Sequence, residues 1–163
     1  MTAPESGISP PAEGWYWRYD GEPTLLVGGS DTDNLFQWVD AGLEAQLDRL
    51  VAAGGNFVRN TLSDRGRGDV APFARVRDGV YDLETWNETY WDHLDTFLAE
   101  TARRDVVVHL TLWDEHDVAG DRWADHYWNP HSNVTYGRYE SGLATGRDLF
   151  AGVDRNEVVY PHL

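Results

Sequence analysis

Apolar residues fall along this chain in two rhythms: short unbroken runs, and longer stretches at three- and four-residue spacing. Trp15-Tyr16-Trp17-Arg18-Tyr19 leads into Asp20-Gly21. An Asp-Gly pair between strand-like runs predicts a hairpin, because both turn residues tolerate positive φ. Pro23 restricts the second arm to a sheet edge, since it has no N–H to give a neighbour. Thr24–Gly28 reads as a short buried strand and residues 29–40 as a polar loop. Leu43, Leu47, Leu50 and Val51 then recur at helical spacing, with Asp40 as the expected cap and Gly54-Gly55 as the stop. Asn56–Leu62 predicts a second strand, and Ser63–Gly79 a polar loop. A second helix is expected from Asp82, with Trp86, Tyr90, Leu94, Phe97, Leu98 and Thr101 on one face. Arg103 and Arg104 end it, where cations suit the helix dipole. Val106–Trp113 begins with three valines, the pattern of a strand buried on both faces.

This order, a hairpin followed by β, α, β, α, β, predicts an α/β fold with right-handed crossovers and about three parallel strands. Residues 1–13, rich in Pro, Ser and Gly, read as a flexible leader, and residues 14–163 as a single domain. From Asp114 onward the chain is polar, aromatic and Gly-rich with no sustained period. So long a stretch without elements is unusual in a compact domain. It is expected to be a large loop region with short elements inside, or a segment whose packing partner lies elsewhere.

Composition narrows the function. Of 163 residues, 13 are basic, all of them Arg, against 28 acidic, for a net charge of −15. Leu, Ile, Val and Phe make up about 22% of the chain, just above the roughly 20% below which highly charged chains stay disordered. With 8 Trp, the chain has the bulk for a core. The acidic field disfavours a nucleic-acid partner. No apolar run approaches the ~20 residues of a membrane span. Cysteine is absent, which removes disulfides, thiolate nucleophiles and Cys-based metal sites. Met1–Glu13 has neither a basic nor an apolar signal region, which predicts a cytoplasmic protein. Dense carboxylates without Lys fit a salt-rich cytoplasm, where repulsion is screened within a few ångströms. An ordinary acidic protein from a GC-rich genome gives the same composition.

Ligands of parallel α/β folds bind at the carboxyl ends of the strands. Asp31 and Asp33 follow the first strand, Arg59 and Asn60 end the second, and Trp113, Asp114 and His116 follow the third. Trp128 and Asn129 belong to an aromatic loop beyond them. Carboxylates and amides beside flat aromatic faces suit a sugar-binding cleft. These nine residues are the candidate substrate-binding set.

The hairpin Trp15–Glu22, Leu25-Leu-Val-Gly28, Asn56-Phe-Val-Arg59-Asn60 and His109-Leu-Thr-Leu-Trp113-Asp-Glu-His116 together resemble the start of a (β/α)8 glycoside hydrolase. The likeness is to the cellulase-type family 5 and its retaining relatives, over roughly residues 14–136. It implies the N-terminal portion of a TIM barrel, with Arg59 orienting a nucleophilic carboxylate and His116 in a substrate subsite. It implies hydrolysis of an O-glycosidic bond without a cofactor, by a general-acid Glu after strand four and a nucleophilic Glu on strand seven. Neither Glu is identifiable here. Asn156-Glu157 has the right dipeptide but no apolar strand before it. A full barrel takes ~250 residues, so the expectation is a truncated, inactive piece of a barrel that self-associates or pairs with a missing C-terminal half.

Two other classes stay open: a non-catalytic carbohydrate-binding protein, and a metal-dependent hydrolase centred on His116. Simpler roles also stand beside the functional ones. Arg59 can pair with a structural carboxylate, Asp31 and Asp33 can cap a turn, and His109 can be a barrel-interior residue. Trp86, Tyr90 and Trp91 read as packing aromatics. Trp123, Tyr127 and Trp128 read equally as sugar platforms or as anchors of their loop. Asn87-Glu-Thr89 and Asn133-Val-Thr135 match the glycosylation sequon, a weak signal without export.

Overall fold

A computed structural model describes residues 7–11, 14–39, 41–150 and 158–162. Along the chain run β1 (Ile8–Ser9), β2 (Trp17–Tyr19), β3 (Glu22–Thr24), α1 (Ala41–Ala52), β4 (Phe57–Thr61), β5 (Phe73–Arg77), β6 (Val80–Trp86), α2 (Glu88–Ala102), β7 (Val107–Thr111), α3 (Glu115–Val118) and α4 (Arg138–Ser141). Short 3₁₀ turns lie at Leu35–Gln37, Gly120–Asp125, Gly146–Leu149 and Tyr160–His162. The chain divides into two compact units, 1–60 with 95–110, and 61–94 with 111–163. Asp40 and Asn156-Glu157 lie outside the described residues. Among the described residues no helix is long and apolar enough to cross a membrane.

In the first unit β1, β2 and β3 form an antiparallel sheet in that order. Its turn is the expected Asp-Gly, with Asp20 at φ 49 and Gly21 at φ 85. Pro23 sits opposite Arg18 on the edge strand β3. α1 buries Leu43, Gln46 and Leu47, an i, i+3, i+4 stripe. Leu35, Phe36, Val58 and Phe97 are fully buried with them. β4 and β7 are paired and run parallel. The Val107 N–H donates to the Asn56 carbonyl at 2.8 Å where they start, and the Leu62 N–H to the Thr111 carbonyl at 3.0 Å where they end.

The expectation of three parallel strands is corrected here. Among the described residues two strands run parallel, and Thr24–Gly28 contributes an isolated parallel bridge from Gly28 to Phe57. The cause is local. The Asn56 side-chain amide accepts from the Val27 N–H at 2.9 Å and donates to the Leu25 carbonyl at 3.1 Å. A side chain thus satisfies backbone groups that a strand ladder would otherwise use. Gly28 is required where it stands, because a Cβ there would lie 1.7 Å from the Phe57 carbonyl oxygen.

The second unit corrects two further expectations. The stretch read as a polar loop contains β5, and Asp82 lies in β6 rather than opening a helix. β5 and β6 form an antiparallel hairpin, with Phe73 opposite Trp86 and Arg77 opposite Val80. Its turn is a second Asp-Gly, Asp78-Gly79, with Gly79 at φ 66. α2 starts at Glu88, so Trp86 is a strand residue, 54% exposed.

Residues 114–150 carry short elements around a core of their own. Phe73, Leu83, Val118, Trp123, Tyr127, Trp128, Tyr136, Leu143, Leu149 and Val159 form one buried cluster. Asn133 ties the loop together. Its side chain donates to the carbonyls of Tyr127 (3.2 Å) and Asn129 (2.9 Å) and accepts from the N–H groups of Thr135 and Tyr136, both at 3.0 Å. The loop joins β6 through a parallel bridge between Tyr81 and Asn133. A buried Asn with all these partners is not presented as a glycan acceptor. At Gly146 a Cβ would lie 2.0 Å from the Val118 carbonyl oxygen, so only glycine lets the chain pass there.

Candidate functional site

The polar side chains of the second unit gather where β4 and β7 give way to loops. Asp114 caps α3, its Oδ1 accepting from the His116 N–H at 2.9 Å. Arg65 bridges two carboxylates, with Nη2 3.1 Å from Asp114 Oδ2 and Nε 2.7 Å from Asp117 Oδ1. Ser63 completes the group. Its hydroxyl accepts from Arg65 Nε at 2.8 Å and donates to Asp117 Oδ1 at 3.2 Å. These side chains are mostly buried, with exposures of 18% for Arg65, 24% for Asp114 and 13% for Asp117. Removing the guanidinium would leave two facing carboxylates short of countercharge.

Beside this group lies a cavity of about 260 Å³, lined by Asp64, Arg65, Asp117, Arg122, Asp125, His126 and Tyr127. Burial raises the Asp64 carboxyl to about 6, helped by the like charges of Asp117 and Asp69 and opposed by its own backbone N–H and by Arg122. Burial also raises Asp117, against the pull of Arg65 and Ser63. Burial alone lowers His126 to about 3, so its ring is neutral. Its Nδ1 accepts from the Trp128 N–H at 3.2 Å, which leaves the ring proton on Nε2. Strongly perturbed groups in a cleft mark a functional candidate.

A second cavity, of about 250 Å³, is lined by Leu62, Pro72, Phe73, Trp86, Tyr90, Trp91, Leu112, Trp113, Tyr127 and Trp128. Its aromatic rings are fixed by one another. Phe73 and Trp86 stack at 5.2 Å and 18°, and Trp86 meets Trp91 edge-on at 5.0 Å and 86°. Trp113 stands 44% exposed at this cleft. The Trp91 indole N–H is buried with no hydrogen-bond partner among the described residues. Tyr127 lines both cavities, so carboxylates, guanidinium groups and aromatic faces share one wall.

Of the nine candidate residues, Trp113 and Trp128 line the aromatic cleft and Asp114 belongs to the Arg65 group. Trp128 is buried, its indole N–H donating to the His162 carbonyl at 3.0 Å. Asn129 is also buried, donating to the Trp123 carbonyl at 2.7 Å and accepting from the His131 N–H at 3.0 Å. The His116 side chain is exposed on α3. The other four lie in the first unit. Arg59 is an exposed residue of β4, and Asn60 is fully buried, its Oδ1 accepting from the Phe36 N–H at 3.0 Å. Asp31 pairs with Arg49 at 3.0 Å in an exposed ion pair, and Asp33 is half-buried in the same loop.

Sequence reading missed Asp64, Arg65, Arg122 and Asp125, and it assigned Trp86 and Trp91 to packing. Two signals were available. Ser63-Asp64-Arg65 directly follows the second parallel strand, the position where such folds put chemistry. Asp78-Gly79 has the same hairpin signature as Asp20-Gly21 and would have put Trp86 on a strand.

No family model matches this chain, and no curated protein does. Among solved structures it is similar to a glycoside hydrolase family 5 mannosidase from Rhizomucor miehei, with a TM-score of 0.61 and 15% sequence identity. The match covers 98% of this chain and 42% of that one. At this identity the likeness shows the fold alone, a partial glycoside-hydrolase-like α/β fold that spans less than half the length of that enzyme.

Proposed function

We propose that the chain carries a carbohydrate-binding face of a glycoside-hydrolase-type protein, and that the parent enzyme hydrolyses O-glycosidic bonds by the two-carboxylate retaining route. The observation that carries this reading is the aromatic cleft of the second unit, with Trp86, Trp91 and Trp113 beside a carboxylate- and Arg-lined pocket. Flat apolar faces next to paired donors and acceptors complement a sugar ring, which has both kinds of surface. The fold likeness supports the same class. In this reading Arg59 orients the nucleophile and His116 contacts substrate. The acid/base and nucleophile are assigned to no residue of this chain, so the chain alone binds glycan without cleaving it. Retaining hydrolysis needs two carboxyl groups roughly 5–5.5 Å apart.

The likeness to a mannosidase makes manno-oligosaccharides the first probe, followed by cello- and xylo-oligosaccharides. Binding followed by tryptophan fluorescence is expected in wild type and lost in Trp113→Ala, with unfolding temperature preserved. Absence of binding to all three series would refute the reading. The alternative of a purely non-catalytic binding protein makes the same binding prediction. It differs in that no complementing partner chain would restore hydrolysis. The metal-dependent alternative gains no support, since among the described residues no three His, Asp or Glu side chains are grouped as ligands.

A further inference from the structure

We propose that the open face of the β4–β7 sheet in the first unit is an interface for a second copy of this chain. The two copies are related by a twofold axis along the strands, so that the β7 edge of each meets the 24–28 edge of the other.

The parallel strands lack the cover that their kind takes. Parallel sheets are normally buried on both faces. Here Trp17, Leu26, Phe57 and Val107 line a cavity of about 420 Å³ on the sheet, and no Asp, Glu or Arg lines it with them. In a chain of net charge −15, an uncharged apolar face is the exception. Leu25 and Val27, on the first strand segment, are 66% and 50% exposed. Contiguous apolar surface of this kind marks an interaction site.

The sheet is also open at both edges. β4 is the one strand paired with β7 among the described residues. The Val107 N–H donates to the Asn56 carbonyl, so the next residue, Val108, directs its N–H and carbonyl to the free edge. On the other side of β4, Asn56 takes both the N–H and the carbonyl of Val27. Leu26 therefore directs its backbone groups outward. Exposed rows of N–H and C=O groups are templates for another strand.

Three features select the occupant. The two open edges lie on opposite sides of β4, and the bridge from Gly28 to Phe57 is parallel, as is the β4–β7 pairing. A twofold along the strands thus sets β7 of one copy parallel to 24–28 of the other at two equivalent seams, and both edges are consumed. The same axis turns the apolar face of each copy toward its equivalent, the self-complementarity that a twofold contact requires. The matched region is 42% of the mannosidase chain, so two copies hold about as much chain as one such fold. The charge of each copy opposes pairing in dilute buffer, and molar salt screens it. The dimer is therefore expected in high salt.

Sedimentation velocity of the full chain in molar KCl should show a species of twice the 18.5 kDa chain mass. Val108→Pro removes an edge donor where a monomer tolerates proline. It is expected to weaken dimerisation at least about tenfold with far-UV circular dichroism unchanged. Trp17→Glu, at an exposed residue of the cavity wall, sets two carboxylates near the axis and should act likewise if proline disturbs the fold. The chain has no cysteine, so introduced thiols report the seam. A short bis-maleimide should cross-link a mixture of Leu26→Cys and Val108→Cys chains, and neither variant alone. A wild type that stays monomeric in molar salt would overturn the proposal, as would a dimer indifferent to both Val108→Pro and Trp17→Glu. Cross-linking of Val108→Cys with itself would mean antiparallel β7–β7 pairing and would overturn the twofold along the strands.

Discussion

Two buried groups in one pocket pull stability in opposite directions as pH falls. His126, lowered to about 3 in the fold, is neutral while the unfolded chain takes a proton below ~6.5. Its contribution is therefore present above about 6.5 and lost as pH falls toward 3. Asp64, raised to about 6, is protonated in the fold before the unfolded chain at ~3.9. It costs stability above pH 6, and that cost is relieved as pH falls from 6 toward 4. Asp64→Asn removes the cost at neutral pH. The variant is expected to be about 1–2 kcal/mol more stable than wild type at pH 7.5, with the gap closing below pH 4. Urea unfolding at stepped pH reads this directly. A variant equal to wild type at every pH would mean that Asp64 titrates like a surface carboxylate.

At the scale of elements, the parallel pair β4–β7 is held to the preceding segment by Asn56 and by the close approach at Gly28. Gly28→Ala would drive a Cβ into the Phe57 carbonyl, 1.7 Å away. The chain must separate there, at an expected cost of about 1–3 kcal/mol, readable as a lower denaturant midpoint. An unchanged midpoint would show that the bridge carries no load.

Which elements were legible follows from how local their determinants are. The first hairpin, α1, β4 and β7 rest on turn chemistry and apolar spacing within a dozen residues. Thr24–Gly28 misled because the Val27 N–H and the Leu25 carbonyl are partnered by the Asn56 side chain, about thirty positions away, rather than by a strand ladder. Trp86 fits a helical face with Tyr90 and Leu94 by spacing alone, yet pairing with Phe73 holds it in β6. The loop after Asp114 showed no period because its order comes from Asn129, Asn133 and aromatic contacts, which leave no repeat in sequence. The candidate site was visible only in part for the same reason. Trp113 and Asp114 follow a readable strand, whereas the pocket depends on Ser63–Arg65 meeting 114–127 across the fold.

For the molecule as a whole, charge sets the conditions of folding. A net charge of −15 over 163 residues is strongly self-repelling in dilute buffer, and molar salt screens it to about 3 Å. We propose that the chain needs salt to fold well, with the unfolding midpoint rising by several degrees between 0.1 and 2 M KCl. Equal midpoints would refute this. Binding is expected to behave differently, because contacts with a neutral glycan should change little over the same range once the chain is folded.

The central claim is that the second unit binds carbohydrate through its aromatic cleft. Its most direct test is the titration of wild type and Trp113→Ala with manno-, cello- and xylo-oligosaccharides in high salt, followed by tryptophan fluorescence. Saturable binding of at least one series in wild type, weakened at least about tenfold in a folded Trp113→Ala, is the expected result. Binding of equal strength in both proteins, or none in wild type, would contradict it.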